Sequence, residues 1–294
     1  MTAHLNKIDI CRVKELAGKA RRKYGIGDDL PVADNLRLIL EEEGIILCEY
    51  PLAGEDGTAR SDAIIARFSG NGEDIGDIVF IGLNTANYYD LQLFAIAHEL
   101  YHYITWNPKE PISGSDWDFA PDAEKKADRF AAEFLFPSQK LKSCVIDEFE
   151  KEDLLSVPSS RIIRFLASLH CKWQMPYRAL VKKIFEENLI NKKQYDFLYT
   201  IDERDEDGFY AKLCRAQNPN IFDRLNRPTN IISVPAHISE KLIKNYENSA
   251  VSTERFIETM ELFGKNPADY GFDFSVSESD IEEINEFLRQ SEAK

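Results

Sequence analysis

The residue spacing that points most clearly to chemistry is in the segment Ala97-His98-Glu99-Leu100-Tyr101-His102. On an α-helix, at about 100° per residue, the two histidines lie about 40° apart and one turn from each other. Two imidazoles placed in this way reach one metal ion at ~2 Å, and a neighbouring glutamate can act as general base towards a metal-bound water. The HExxH pattern therefore predicts a zinc site with His98 and His102 as ligands and Glu99 as catalytic base.

The residues around this motif predict that its helix is buried. Apolar side chains occupy positions before and between the histidines, namely Leu91, Leu93, Phe94, Ile96, Ala97 and Leu100. Two histidines and a glutamate on a buried helix are costly unless a metal or polar partners satisfy them. The alternative interpretation, two surface histidines flanking an exposed glutamate, fits these apolar neighbours less well.

A second helical segment, residues 122–136, supplies the expected third ligand. Glu124 and Asp128 lie four residues apart and share a helix face with Ala127 and Ala131. Small side chains at these positions let two helices approach closely, which would bring Glu124 to the metal. Asp128 would then accept the ring N–H of a ligand histidine and fix its tautomer. The alternative is that both carboxylates only pair with neighbouring basic residues at the surface.

Two segments of the chain resemble the ImmA/IrrE metallopeptidases. The first runs from Ile78 to Asn84 and continues from Phe94 to His102, and the second runs from Glu124 to Pro137 with the pattern ExxADxFAAxFLFP. Residues 166–190 are similar to the family's helix-turn-helix-like segment. The likeness covers roughly residues 10–200, and the pairing of the HExxH and ExxA(N/D)xFA motifs makes it specific.

The resemblance implies a zincin-like domain that binds Zn²⁺ through His98, His102 and Glu124 and uses Glu99 as its base. It also implies a substrate, because members of the family cut helix-turn-helix (XRE-like) repressors and thereby switch on stress-response, mobile-element or anti-phage genes. The expected activator is a damage signal, for which single-stranded DNA is the candidate.

Two positions depart from the family pattern. Tyr101 stands where the family usually has glycine, and it places a bulky ring beside the metal face. Asp128 stands where asparagine is usual, a small change that keeps its contact with a ligand histidine feasible. Neither departure removes a ligand.

The substrate cleft is expected beside the strand-like run Ile78–Leu83. We predict that this run is an edge strand with which an extended peptide pairs, so that a backbone carbonyl faces the zinc. A donor for the oxyanion is also required. The sequence offers four neighbouring tyrosines without selecting one of them: Tyr88, Tyr89, Tyr101 and Tyr103.

Periodicity and turn residues predict an α+β fold with a small mixed sheet. Helical patterns cover residues 8–23, 32–43, 91–105 and 122–136, and strand-like runs cover 45–50, 63–68 and 78–83, with turn residues at 69–72. Later helices are predicted at 161–170, 175–188, 237–248, 253–263 and 278–290, and a short β-like run at 230–234. We predict a zinc metallopeptidase domain (1–140), a helical helix-turn-helix-like subdomain (141–203) and a helix-rich C-terminal regulatory or sensor domain (204–294).

The composition restricts the functional class. The chain has 294 residues, of which 44% are hydrophobic and 30% charged, and its formal net charge is −15. With no apolar window long enough for a membrane span and no secretion signal at the N-terminus, we expect a cytoplasmic protein without a membrane partner. The negative charge argues against sequence-independent binding to nucleic acid. Five scattered cysteines predict free thiols, mostly buried, and their spacing selects none as a further zinc ligand.

A basic segment, residues 160–193, is not used by the peptidase interpretation. It carries eight lysines and arginines against two glutamates, and it could contact DNA, contact the acidic face of a partner, or simply be a solvated face. Two other functional classes therefore remain open. One is a DNA-binding regulator with a structural zinc, and the other is an interaction module that keeps the site for folding. Structural zinc sites usually have four protein ligands, and finding three favours catalysis.

Overall fold

The computed structural model describes residues 5–52, 62–68, 77–106 and 121–274. Three strands form within these ranges, β1 (Ile46–Tyr50), β2 (Ala63–Phe68) and β3 (Ile78–Asn84). The α-helices of the described residues are α1 (Lys7–Lys23), α2 (Leu36–Glu42), α3 (Tyr89–Thr105), α4 (Pro121–Leu135), α5 (Ser138–Phe149), α6 (Ser159–Trp173), α7 (Tyr177–Glu186), α8 (Lys192–Tyr199), α9 (Phe209–Gln217), α10 (Pro219–Leu225), α11 (Ala236–Glu247) and α12 (Thr253–Leu262). The predicted helix at 278–290 and the predicted turn at 69–72 lie outside the described residues.

The sheet is small and mixed, with strand order β1-β3-β2. β1 runs parallel to β3, and β2 runs antiparallel to it. The prediction that Ile78–Leu83 is an edge strand is therefore wrong, because β3 is hydrogen-bonded on both sides. Its side chains explain the central place, since Ile81 and Leu83 are fully buried in the core. The predicted helix-rich α+β class with a small mixed sheet is confirmed, while its zincin-like character stays a prediction.

The N-terminus of α3 is fixed by a buried acidic residue. Asp90 is fully buried in the first turn and accepts a hydrogen bond from the backbone N–H of Leu91 (2.8 Å). Arg204 binds both carboxylate oxygens of Asp90 at 2.9 and 3.1 Å, and Nε2 of His170 lies 3.3 Å from Oδ2. A carboxylate at this end of a helix complements the macrodipole. Residues far along the chain thus hold α3 in place.

Helix α4 packs against α1 and α3 and carries a fully buried apolar face, which includes Ala127 and Ala131. Its polar face is fixed by charge pairs with α7. The ammonium of Lys183 lies 2.7 Å from Oε2 of Glu133, and both side chains are buried. Arg129 forms further ion pairs with the two glutamates that end α7. α7 is consequently held along α4 by charged groups that water hardly reaches.

Between residues 141 and 274 the chain is mainly helical, as predicted. The chain forms two compact units, Met1–Ile232 and Ser233–Lys294. Tyr210 of α9 is buried against α6 and its hydroxyl lies 2.9 Å from Nδ1 of His170, so α9 packs with the first unit. The three-domain division and the helix-turn-helix-like character of 141–203 stay predictions.

The second unit is built on α11 and α12, close to the helices predicted at 237–248 and 253–263. An aromatic cluster joins them, with the rings of Tyr246 and Phe256 stacked at 4.3 Å and Phe272 against their edges. The predicted β-like run at 230–234 forms no strand. The backbone N–H of Asn230 instead donates to the carbonyl of Thr85, at 2.9 Å.

The cysteines agree only in part with the expectation of free and mostly buried thiols. All five cysteines are free, but only Cys171 and Cys214 are buried, whereas Cys11 is exposed.

None of the helices in the described ranges combines the length and hydrophobicity that a bilayer crossing requires.

Candidate metal centre

Helix α3 carries His98, Glu99 and His102 in its C-terminal half and packs against α4. Leu93, Ile96, Ala97 and Leu100 are fully buried, and they anchor the helix in the core. His102 and Glu99 are only 3% and 7% exposed. Both polar residues therefore lie in surroundings where an unpaired group would be costly.

Three potential ligand atoms converge between α3 and α4. Nε2 of His98 lies 3.0 Å from Oε2 of Glu124, and Nε2 of His102 lies 3.2 Å from Oε1 of the same carboxylate. The two Nε2 atoms are 3.2 Å apart. His98, His102 and Glu124 form a group of metal-ligating side chains whose donor atoms all lie within 4.8 Å of one another.

The separations fit a tetrahedral ion. Ligand atoms bound at ~2.0–2.1 Å around a tetrahedral centre lie about 3.3 Å apart, close to the 3.2 Å between the two Nε2 atoms. Glu124 approaches each imidazole with a different oxygen, at 3.0 and 3.2 Å. Two imidazole nitrogens and one carboxylate oxygen are a donor set that suits zinc. No cysteine belongs to this group in the described part of the chain. Three protein ligands would leave a fourth position for water or substrate.

Asp128 occupies the position expected of a residue that orients a ligand histidine. Its Oδ1 lies 3.2 Å from Nδ1 of His98, the ring nitrogen on the opposite side from the cluster. Its other oxygen, Oδ2, lies 3.4 Å from the ammonium of Lys182 on α7. A carboxylate that accepts Nδ1–H keeps the lone pair on Nε2, facing the ligand cluster.

Burial and neighbouring charges set the protonation states of the centre. Burial raises the pKa of Glu99 to about 7, with Glu124 adding to the rise and His98 opposing it. Burial and the neighbouring His98 lower the pKa of His102 to about 4, so this imidazole is neutral at pH 7, the form that binds a metal. Burial lowers the pKa of His98, but Asp128 and the nearby glutamates more than offset this effect and raise it.

The four tyrosines considered as oxyanion donors have different surroundings. The hydroxyl of Tyr103 lies 3.2 Å from Glu43, that of Tyr89 accepts from Arg37 at 3.2 Å, and Arg204 covers the ring of Tyr88. The ring of Tyr101 contacts that of His102 edge-on, with the ring centroids 5.6 Å apart. Its ring is largely buried and also packs on Phe130, at 5.6 Å. The bulky residue at this position thus lies between α3 and α4.

Four of the eight basic residues in the segment 160–193 form ion pairs within the protein. Lys183 is buried against Glu133, and Lys182 faces Asp128. Two further pairs join Arg178 of α7 to Glu203 and Lys192 of α8 to Asp196. This pairing reduces the net positive potential that a DNA-binding surface needs.

Sequence reasoning missed two features that position the centre. Lys182 counted only as one charge of the basic segment, and nothing in its spacing indicated Asp128 as its partner. The sequence predicts only that His170 is structural, and it does not indicate the partners Asp90 and Tyr210 between which it lies buried. The sequence contains one indication that His170 is buried, since it lies on the apolar face of α6 with Leu166 and Leu169.

Comparison with known proteins gives one match. The family model of peptidase M78, the IrrE N-terminal-like domain, matches residues 40–184, about half of the chain. The matched range contains the three strands, α3, α4 and all of the residues discussed above as ligands or base. Neither a curated protein nor a solved structure matches the chain.

Proposed function

Residues 40–184 belong to the family of the IrrE N-terminal-like domain, a peptidase family, and from that premise we propose that this protein is a zinc-dependent endopeptidase. Its metal ligands in this proposal are His98, His102 and Glu124, and its catalytic base is Glu99. The substrate is a helix-turn-helix (XRE-like) transcriptional repressor, whose cleavage derepresses stress-response, mobile-element or anti-phage genes.

One observation carries the proposal. Three ligand atoms of the kinds that zinc prefers lie within 4.8 Å of one another, and Glu99 is buried on the same helix. Catalytic zinc sites have three protein ligands and an open position, whereas structural sites usually have four. In the described residues the group contains three, which supports a catalytic role.

Each residue of the centre has a separate role in the proposed reaction. Zinc, when bound, supplies Lewis acidity and lowers the pKa of a water towards ~7. Glu99 takes the proton of the attacking water and then passes it to the leaving amine. Asp128 holds Nδ1–H of His98 and thereby keeps Nε2 directed at the ligand cluster.

The choice of substrate rests on the family resemblance. A repressor encoded beside this protein is the expected target, and single-stranded DNA or another damage signal is the expected activator. These assignments go beyond what the family match itself carries, so the experiment must identify the partner as well as the chemistry.

Cleavage of the neighbouring repressor tests the proposal directly. The purified zinc-loaded protein is mixed with the repressor-like protein encoded beside it, with and without single-stranded DNA, and products are identified by mass spectrometry. A discrete cut made by wild type and not by Glu99→Gln would support the endopeptidase and name its partner. If both proteins bind one zinc and neither cuts the repressor under any condition, the proposed function is wrong.

The other functional classes make different predictions. A DNA-binding regulator would bind duplex DNA in a salt-sensitive manner whether or not zinc is present. The internal pairing of Arg178, Lys182, Lys183 and Lys192 weighs against it. An interaction module that keeps zinc only for folding would retain its biological output in Glu99→Gln.

A further inference from the structure

A strip of basic and aromatic side chains lies on α7 and α8, beside the candidate metal centre. Arg178 and Lys182 are one turn apart on α7, and Tyr195 and Tyr199 are one turn apart on α8. The guanidinium of Arg178 lies over the ring of Tyr199 at 5.2 Å, and the rings of Tyr195 and Tyr199 are 5.3 Å apart. We call these four residues the α7–α8 strip.

The strip is continuous with the centre through Lys182. Its ammonium lies 3.4 Å from Oδ2 of Asp128, whose Oδ1 faces His98 at 3.2 Å. A chain segment bound along the strip would therefore end at Asp128, on the Nδ1 side of His98.

The strip has unused capacity to bind carboxylates. The side chains of Arg178 and Lys182 are 54% and 50% exposed. Glu203, the carboxylate partner of Arg178, is buried beneath it and engages only Nε of a group that carries five N–H donors. Asp128 lies 3.4 Å from one of the three donors of Lys182. Both cations can thus donate hydrogen bonds to a second acidic group from another molecule.

We propose that the α7–α8 strip binds an acidic segment of the polypeptide substrate adjacent to the bond that is cut. This inference rests on the proposed endopeptidase function and names a chemical requirement of its substrate. Glutamate or aspartate side chains of that segment contact Arg178 and Lys182.

The same observations favour polypeptide over nucleic acid as the occupant. Base stacking needs an open aromatic face, and here cations lie over the rings, Arg178 over Tyr199 and Lys192 over Tyr195 at 5.0 Å. Under the proposed function the strip lies beside a peptidase centre, which favours a peptide as its occupant.

Binding to a zinc-loaded Glu99→Gln protein tests the proposal without depending on cleavage. The probe is a fluorescein-labelled peptide of glutamate, alanine, leucine and tyrosine, compared with its glutamine and lysine counterparts by fluorescence anisotropy. We expect the glutamate peptide to bind about tenfold more tightly than the glutamine peptide at low salt, as two exposed ion pairs allow, and to lose this margin at high salt.

Substitutions in the strip should change the preference in a charge-dependent way. Arg178→Gln/Lys182→Gln should abolish the tenfold margin, and Arg178→Glu/Lys182→Glu should make the lysine peptide the better ligand. The matched control is Arg164→Gln/Lys212→Gln, which removes the same charges from exposed positions on α6 and α9 and should leave the margin unchanged. Zinc content and thermal unfolding are measured for every variant, so a loss caused by misfolding is recognised.

Three results would overturn the inference. One is equal affinity of the strip variant and the control variant for the glutamate peptide. Another is a preference that the charge reversal fails to invert. The third is strip-dependent binding of a labelled single-stranded oligonucleotide in place of the peptide. Failure of the proposed function is distinguishable, because wild type would then leave the repressor uncut while the charge-dependent peptide binding persists.

Discussion

Lys183→Met should destabilise the protein strongly, because it removes one partner of a buried ion pair. The side chain of Lys183 is fully buried and its ammonium lies 2.7 Å from Oε2 of Glu133, which also accepts hydrogen bonds from the backbone N–H and hydroxyl of Ser138 at 2.8 and 2.5 Å. Breaking a buried pair on one side typically costs ~3–5 kcal/mol, since an uncompensated charge remains. For a unit of this size that corresponds to a fall of about 10 °C in Tm.

The pH dependence gives this prediction a second readout. Burial alone would raise the pKa of Glu133, but Lys183 and Ser138 more than offset it and lower the pKa below its usual value. The wild-type pair therefore stabilises the fold above the unfolded-state pKa of about 4.3, and this contribution is lost as pH falls. In Lys183→Met the unpaired carboxyl is most costly when ionised, so the difference between variant and wild type should shrink between pH 7 and about pH 4.

Urea unfolding followed by circular dichroism measures the free energy of unfolding at each pH. The control is Lys182→Met, the neighbouring lysine whose side chain is half exposed, which should cost less than ~1 kcal/mol. Glu133→Gln in the Lys183→Met background should recover much of the loss, because it removes the unpaired charge and keeps an acceptor for Ser138. A cost below ~1 kcal/mol for Lys183→Met, or no recovery in the double variant, would refute the reasoning.

Three further predictions concern the centre and its supports. Glu99→Gln should keep one zinc per chain, measured by metal analysis, while the rate of repressor cleavage falls ~10²–10⁴-fold, since a general base contributes that much; normal cleavage would exclude Glu99 as the base. Asp128→Asn should weaken zinc binding by about tenfold in competition with a chromogenic chelator, because the neutral amide is a poorer acceptor for Nδ1–H of His98; unchanged affinity would contradict the role of Asp128. Lys14 and Arg129 lower the pKa of Glu187 to about 2 against the effect of burial, so Glu187 stabilises the fold above the unfolded pKa of about 4.3 and loses this contribution down to pH 2; Glu187→Gln should flatten acid unfolding in that range, and a profile identical to wild type would contradict this assignment.

The parts of the centre that sequence could predict depend on short-range geometry. Histidines four residues apart on an apolar helix face one way wherever that helix packs, so His98 and His102 needed no tertiary information. The approach of Glu124 followed from small residues on a second helix, and the distances between the ligand atoms agree with it. Roles in binding or catalysis are a further step that the experiments above address.

The remaining features depend on long-range packing that the local pattern does not contain. Strand order is one, because the run Ile78–Leu83 has the same composition whether it is central or at an edge. Adjacent Lys182 and Lys183 are another, since two identical residues differ from half exposed to fully buried. The partner of each lysine comes from α4, about fifty positions away in the chain. Only the packing of α7 on α4 distinguishes them.

The central position of β3 has a consequence for the direction in which a bound polypeptide runs. Among the described residues β1 and β2 each pair only with β3, and they run in opposite senses. A peptide added antiparallel to β1 would run against β3, whereas one added antiparallel to β2 would run with it. The two edges would therefore hold the same peptide in opposite directions. The direction of a bound peptide thus reports which edge of the sheet pairs with it.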